Sequence, residues 1–215
     1  IQENYENMCK WAADYIAAKI NAHKEDRPFV LGLPTGSSPI GVYKELIKKN
    51  KEIIQSSGAE ILLLSCPICY KIFNEQYHLE GIRVMHHTEY LQELIREGRL
   101  VVSKDETKYV FHDPCELGRG SGIYEQPREV LTCAGELVEA EKNKEMSICC
   151  GGSLGSLTLG FDKREDITKN SLQNLTAANP DSIVTACPLC KATFGRYSDR
   201  PVEDIAEIID KKSRS

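Results

Sequence analysis

Hydrophobic positions change period several times along this chain. Met8, Trp11, Ala12, Tyr15, Ile16 and Ile20 recur every three or four residues, the spacing of one helix face. Arg27-Pro28 interrupts that run. Phe29-Val30-Leu31-Gly32-Leu33 is a short apolar run suited to a buried strand, and residues 34–39 (PTGSSP) read as a turn. Helical spacing returns over residues 40–49 and again over 53–56, with Gly58 placed to end the helix.

The grammar then becomes one of short strands alternating with helices. "AEILLLSCPICYKIF" predicts a strand, a Cys-x-x-Cys turn and a helix, and "GIRVMHHTEYLQELI" a second strand and helix. "LVVSKDETKYVFHDPCELGRG" predicts two strands around a polar turn. Residues 126–142 read as mostly helical, 146–148 as a short strand, 164–178 as helix and 182–186 as strand. "CPLCKATF" then repeats the earlier turn. The expected class is α/β.

The repeat is explicit. "GAEILLLSCPICYKIF" and "PDSIVTACPLCKATF" share an apolar strand, Cys-Pro-apolar-Cys and a Phe four residues on. Each is followed by an acidic helical segment, HHTEYLQELI and PVEDIAEIID. The second copy is preceded by Cys115 and by Cys149-Cys150, and the first has no such partners. We therefore expect two pseudo-repeated strand-turn-helix units around a cysteine cluster, the first truncated, preceded by a helix-strand-helix fragment. The boundaries expected are 1–52 for the fragment, 53–104 for the tail of a first repeat and 105–215 for a complete cysteine-rich domain.

Composition narrows the function. Of 215 residues 41% are hydrophobic, enough for a real core. The net charge of −5 gives no electrostatic footprint for nucleic acid. Runs such as Ile61-Leu62-Leu63-Leu64 are far too short for a transmembrane segment, so any membrane association would be peripheral, through a partner. The opening residues carry acids and no basic region, unlike a signal peptide. Nine cysteines without export signals fit a reducing, cytoplasmic setting, where thiols serve metals or redox chemistry.

Thirty-three residues separate Cys115 from Cys149, and 36 separate Cys150 from Cys187, with Cys190 closing the set. Thiolates are soft ligands for iron–sulfur clusters and zinc. Adjacent thiols pair poorly with each other. Five are one more than a tetrahedral zinc needs, which favours a multi-iron group, with structural zinc as the alternative. Gly151 and Gly152 let backbone approach a metal, and their amides can donate to cluster sulfur. Cys9 and Cys133 read as buried helix residues, His112 as a packed loop histidine, and His86-His87 as a surface or capping pair.

The spacing, with "HDPCELGRGSGIYEQPREVL", "CCGGSLG" and "TACPLCKATF", resembles the cysteine-rich CCG domain of the heterodisulfide reductases. The same domain recurs in glycolate oxidase-type iron–sulfur subunits. The resemblance covers about residues 53–212. It implies a [4Fe–4S] cluster, non-cubane in some members, held by Cys115, Cys149, Cys150, Cys187 and Cys190. It also implies electron exchange with ferredoxin-like or flavoprotein subunits of an oxidoreductase complex. Cys66 and Cys69 match the closing pair of the family's first copy, whose other ligands are missing.

Residues 1–50 resemble the N-terminus of glucosamine-6-phosphate deaminase, through "KWAADYIAAKINA" and "RPFVLGLPTGSSPIGVYKELI". The resemblance implies a sugar-phosphate loop at Thr35, Gly36, Ser37 and Ser38. The family's downstream proton-transfer aspartate and catalytic histidine are absent, so no deaminase activity is expected. Two families thus abut within residues 48–52. The simplest expectation is a chimeric chain, with an iron–sulfur electron-transfer component as its leading function. A deaminase fragment and a zinc-stabilised, non-catalytic domain are the alternatives.

Overall fold

The computed structural model describes residues 4–22, 24, 40–152 and 158–213. The expected strand at 29–33 and phosphate loop at Thr35–Ser38 lie outside the described residues. The chain divides into two compact units, residues 1–60 with 77–82, and residues 61–76 with 83–215.

In the first unit, helix α1 (Tyr5–Ala22) packs against α2 (Ile40–Ser56). Helix α2 is continuous across the place where the two resemblances meet. Cys9 and Ala13 are buried on α1, and Gly41 allows the close approach, because a Cβ there would lie 2.4 Å from the Cys9 sulfur. Lys49 pairs with Asp14 at 2.5 Å.

The second unit holds two parallel sheets. Strands β1 (Ile61–Leu64) and β2 (Arg83–His86) form one. The other has the order β4-β3-β5-β6, from β3 (Lys108–His112), β4 (Glu136–Val138), β5 (Ser182–Thr185) and β6 (Val202–Asp204). Side chains alternate along these strands as the pleat requires. Tyr109, Phe111 and Val184 enter one core with α4 (His87–Arg96), α6 (Glu125–Ala134) and α9 (Ile205–Ser213). Val110 and Ile183 enter the other, with α7 (Phe161–Thr176) and α8 (Pro188–Phe194). Burial on both faces explains why β5 carries Ile183 and Val184 side by side rather than alternating with exposed residues.

The topology fixes where a site can lie. From β3 the chain crosses to β4 on one side, then returns past β3 to β5 on the other. The carboxyl ends of β3 and β5 therefore flank a switch point, the crevice where open α/β sheets bind ligands. The α/β expectation holds, and the internal repeat runs deeper than the sequence suggested. Strand β1, helix α3 (Pro67–Ile72), β2 and α4 are echoed by β5, α8, β6 and α9. The acidic segment PVEDIAEIID begins as strand β6 before it turns helical.

Three expectations are corrected. Residues 100–103 form no strand beside β3, because β4 and β5 occupy both edges of β3. Val101 is exposed, and Ser103 instead bonds through its backbone N–H and its hydroxyl to the Lys212 carbonyl. The helix expected over 126–142 stops at Ala134. A Cβ on Gly135 would lie 2.4 Å from the Thr107 carbonyl oxygen, and the chain turns there to pair with β3 as β4. Residues 146–148 form no strand, since side chains take up their backbone groups. Arg119 donates to the Ser147 carbonyl at 2.8 Å, while His112 and Ser171 each meet the Ile148 carbonyl at 3.2 Å.

Candidate metal centre

Each cysteine of the complete unit leaves a strand end or a loop beside it. Cys115 follows β3 after Asp113-Pro114, and Cys187 follows β5 after Ala186 and caps α8. Cys190 lies one turn into α8, and Cys149-Cys150 arrive on the long connection from β4 to α7. The thiols touch in sequence, Cys115 to Cys149, Cys149 to Cys150, Cys150 to Cys190 and Cys190 to Cys187. The five expected ligands are thus brought together as a string. Among the described residues no three Cys, His, Asp or Glu side chains are grouped to hold a single metal ion.

Neighbouring thiols in the string shift one another's acidity. The Cys115 thiol is held far above its ordinary range, first by its hydrogen bond with Cys149 and then by burial. Cys150 is pushed up to about 12, chiefly by Cys149, and Cys190 is raised by Cys150, Cys187 and burial. Cys187 is drawn down to about 7, because Cys190 and the backbone amides of Cys190 and Leu189 donate to its sulfur. Thiols so placed cannot ionise together unless a metal supplies the compensating charge, and metal binding would release their protons. The donor set fits a thiolate-ligated cluster.

The loop that presents the pair is built for close approach. Gly151 N–H donates to the Cys149 sulfur and Gly152 N–H to the Cys150 sulfur, each at 3.4 Å. Gly151 has φ +82°, and a Cβ there would fall 2.7 Å from Thr168 Oγ1 and 2.8 Å from the Arg164 carbonyl oxygen. Thr168 anchors the loop by donating to the Cys150 carbonyl at 2.8 Å.

Residues that sequence reasoning passed over hold this loop in place. Arg128, buried on α6, grips both carboxylate oxygens of buried Asp113 at 2.7 and 2.9 Å. It also donates to Glu139 and to the Tyr124 carbonyl, with its guanidinium over the Phe111 ring. Asp113 in turn accepts from Lys144 N–H, and its carbonyl accepts from the Ser147 hydroxyl. The only sequence signal was the charge of Asp113 directly after an apolar strand. His112 is packed as expected, though at the end of β3 rather than in a loop. It stands edge-on to Phe194, and burial pulls it down to about 4. Cys9 is buried, whereas Cys133 is only half-buried on α6.

The first repeat's pair lies beside the complete unit. The Cys69 thiol is raised by burial and Cys66, with a further contribution from Cys187. His86 and His87 are buried rather than on the surface, because β2 and the start of α4 are packed under the core. The capping expectation for His86 holds, since its Nδ1 accepts from Thr88 N–H while Glu89 accepts from His86 N–H. Asp204 does the same at the start of α9, with Ala206 N–H and Glu207. The registers Leu64↔His86 and Thr185↔Asp204 make these two residues repeat equivalents. His87 Nε2 lies 3.4 Å from Asp204 Oδ1, joining the two repeats. The Ser65 and Ala186 carbonyls, each directly before a Cys-Pro turn, face the His86 ring, which burial and His87 drive down to about 3.

Comparison with known proteins places this geometry. The chain is 35% identical over 190 residues to an EtfAB:quinone oxidoreductase of Syntrophomonas wolfei, covering 78% of this chain and 26% of that protein. It is 34% identical over 185 residues to one of the subunits of the dihydromethanophenazine:CoB–CoM heterodisulfide reductase of Methanosarcina acetivorans, covering 78% and 44%. The chain thus spans less than half the length of these relatives. A glucosamine-6-phosphate deaminase of Treponema denticola is 62% identical over 58 residues, 26% of this chain and 22% of that enzyme, and this likeness is N-terminal. Residues 109–195, which contain all five thiols of the string, match the family described as the cysteine-rich domain CCG.

Proposed function

We propose that this chain is an iron–sulfur electron-transfer component of an oxidoreductase. Cys115, Cys149, Cys150, Cys187 and Cys190 would hold a [4Fe–4S] cluster within a complete domain at 105–215. The observation that carries the reading is the string of five thiols, each hydrogen-bonded to the next, at the switch point of a parallel sheet. When bound, the cluster supplies one-electron carriage. The chain's own residues do the rest. The Gly151 and Gly152 amides donate to sulfur, Thr168 fixes the Cys150 carbonyl, and the Asp113–Arg128 pair holds the loop's approach.

The relatives' names support partner subunits, and ferredoxin-like or flavoprotein partners are the finer proposal. Residues 53–104 are read as the tail of a first repeat, with Cys66 and Cys69 at the edge of the centre. Residues 1–52 are read as a deaminase-like fragment without deaminase activity. Among the described residues no helix is long and apolar enough to cross a membrane.

The test is iron, zinc and acid-labile sulfide per chain after anaerobic purification, with Cys149→Ala alongside. About four irons and four sulfides, lost in the variant, are expected. About one zinc without sulfide would refute the redox reading in favour of a structural site.

A further inference from the structure

A groove between α7 and α8 opens beside the glycine loop and shares Gly151, Gly152 and Thr168 with it, but its arginines and tyrosine take no part in holding the thiols. It encloses about 160 Å³, and its walls include Gly152, Arg164, Glu165, Thr193, Arg196 and Tyr197. The side chains that could donate into it are unspent. Arg164 Nε is buried with no hydrogen-bond partner. Among the described residues, neither the Arg164 nor the Arg196 guanidinium makes a hydrogen bond or ion pair, and the Tyr197 hydroxyl makes no hydrogen bond.

The groove's other polar groups are already engaged. Glu165, its one acid, is neutralised by Lys169 at 2.6 Å. The Thr193 hydroxyl donates to the Leu189 carbonyl, and the Thr168 hydroxyl to the Cys150 carbonyl. What remains is two cations and a phenol facing one cavity, with no anion among the described residues to answer them. A desolvated donor left unpaired is costly, and guanidinium forks match the planar or tetrahedral oxygens of carboxylate and phosphate. The first turns of α7 also favour negative charge there.

We propose that this groove binds a small oxyanion, a carboxylate or a phosphate, through Arg164, Arg196 and Tyr197. A cavity of this size takes a molecule of about six non-hydrogen atoms, judging from an engineered cavity of about 150 Å³ that admits benzene. Gly152, whose N–H donates to the Cys150 sulfur, is also a wall of the groove, so the bound anion and the thiol string influence one another.

The experiment is calorimetric titration of the full chain, purified anaerobically, with inorganic phosphate, acetate and malonate in turn at fixed ionic strength. The iron content of each sample is measured in parallel, so that a failed cluster and a failed anion site are told apart. One anion bound per chain is expected, with the preferred arm naming carboxylate or phosphate. Arg164→Gln and Arg196→Gln should each weaken binding at least about tenfold, and Arg83→Gln, at an exposed pair elsewhere, should leave it unchanged. Thermal melting checks that both variants are folded, and the preferred anion should raise the melting temperature of wild type but not of either variant. No binding of any of the three anions up to about 10 mM overturns the proposal. So does binding that survives both arginine substitutions.

Discussion

Replacing Arg128 by Met removes the group on which the approach to the glycine loop depends. Its side chain and that of Asp113 are 6% and 1% exposed, so the carboxylate left behind cannot be rescued by water. Five hydrogen bonds disappear, two to Asp113, two to Glu139 and one to the Tyr124 carbonyl. Of the acceptors freed, Glu139 is partly exposed and can rehydrate, whereas Asp113 keeps only the Lys144 amide. Breaking one side of such a buried pair costs about 3–5 kcal/mol. For a unit of this size that is a fall in melting temperature of about 10 °C. Met roughly matches the aliphatic volume, so the loss reports charge rather than a cavity. Far-UV circular dichroism would follow the unfolding of the helices and strands. The double variant Arg128→Met/Asp113→Asn, which no longer buries an unpaired charge, should recover a large part of the loss. A single-variant cost below about 1 kcal/mol, or no recovery in the double variant, would refute the argument.

Acid should weaken the α/β unit before its carboxylates protonate. His86 and His112 have folded-state values of about 3 and 4, below the unfolded value near 6.5, so the unfolded chain binds more protons. Their contribution is full above pH ~6.5 and is lost as pH falls toward those values. Urea midpoints should drop between pH ~6.5 and 5, and His112→Gln should flatten that slope; an equal slope in the variant would remove His112 from the account. Gly151→Ala places a side chain at φ +82° against Thr168 and the Arg164 carbonyl. We expect a loss of about 1–2 kcal/mol from backbone strain alone, with reduced iron content; full iron loading at wild-type stability would show that the loop tolerates a Cβ.

Much of this molecule was legible because its central strands β3 and β5 are buried on both faces and its repeated turns are marked by Cys-Pro. The run at 182–186 and the repeated "CP-apolar-C" turn could hardly be read otherwise. Sequence failed where a backbone partner came from far along the chain. Strand β4 hides inside a helical pattern, since Gly135 ends α6 only because Thr107 and Tyr109 are already in place. Residues 100–103 have strand composition, but their expected edge was taken. At the centre, the ligand set was written in cysteine spacing, yet nothing local announced that Asp113, Arg128 and Thr168 would brace it. Those contacts join residues 15 and 18 positions apart, beyond the reach of any helical or strand period. His86 and His87 misled for a related reason, because two polar residues at a helix start look solvated until the second repeat covers them.

The equivalence of His86 and Asp204 has a consequence for how this assembly could have arisen. Two identical copies related by a dyad would carry the same residue at both of these strand ends, an imidazole on each or a carboxylate on each. Joined in one chain, the copies are free to diverge. Here one strand end carries histidine and its counterpart aspartate, both still capping their helices in the same way. The seam between the halves is therefore polarised, with a base on one side and an acid on the other. A symmetric dimer of either half would lose that complementarity.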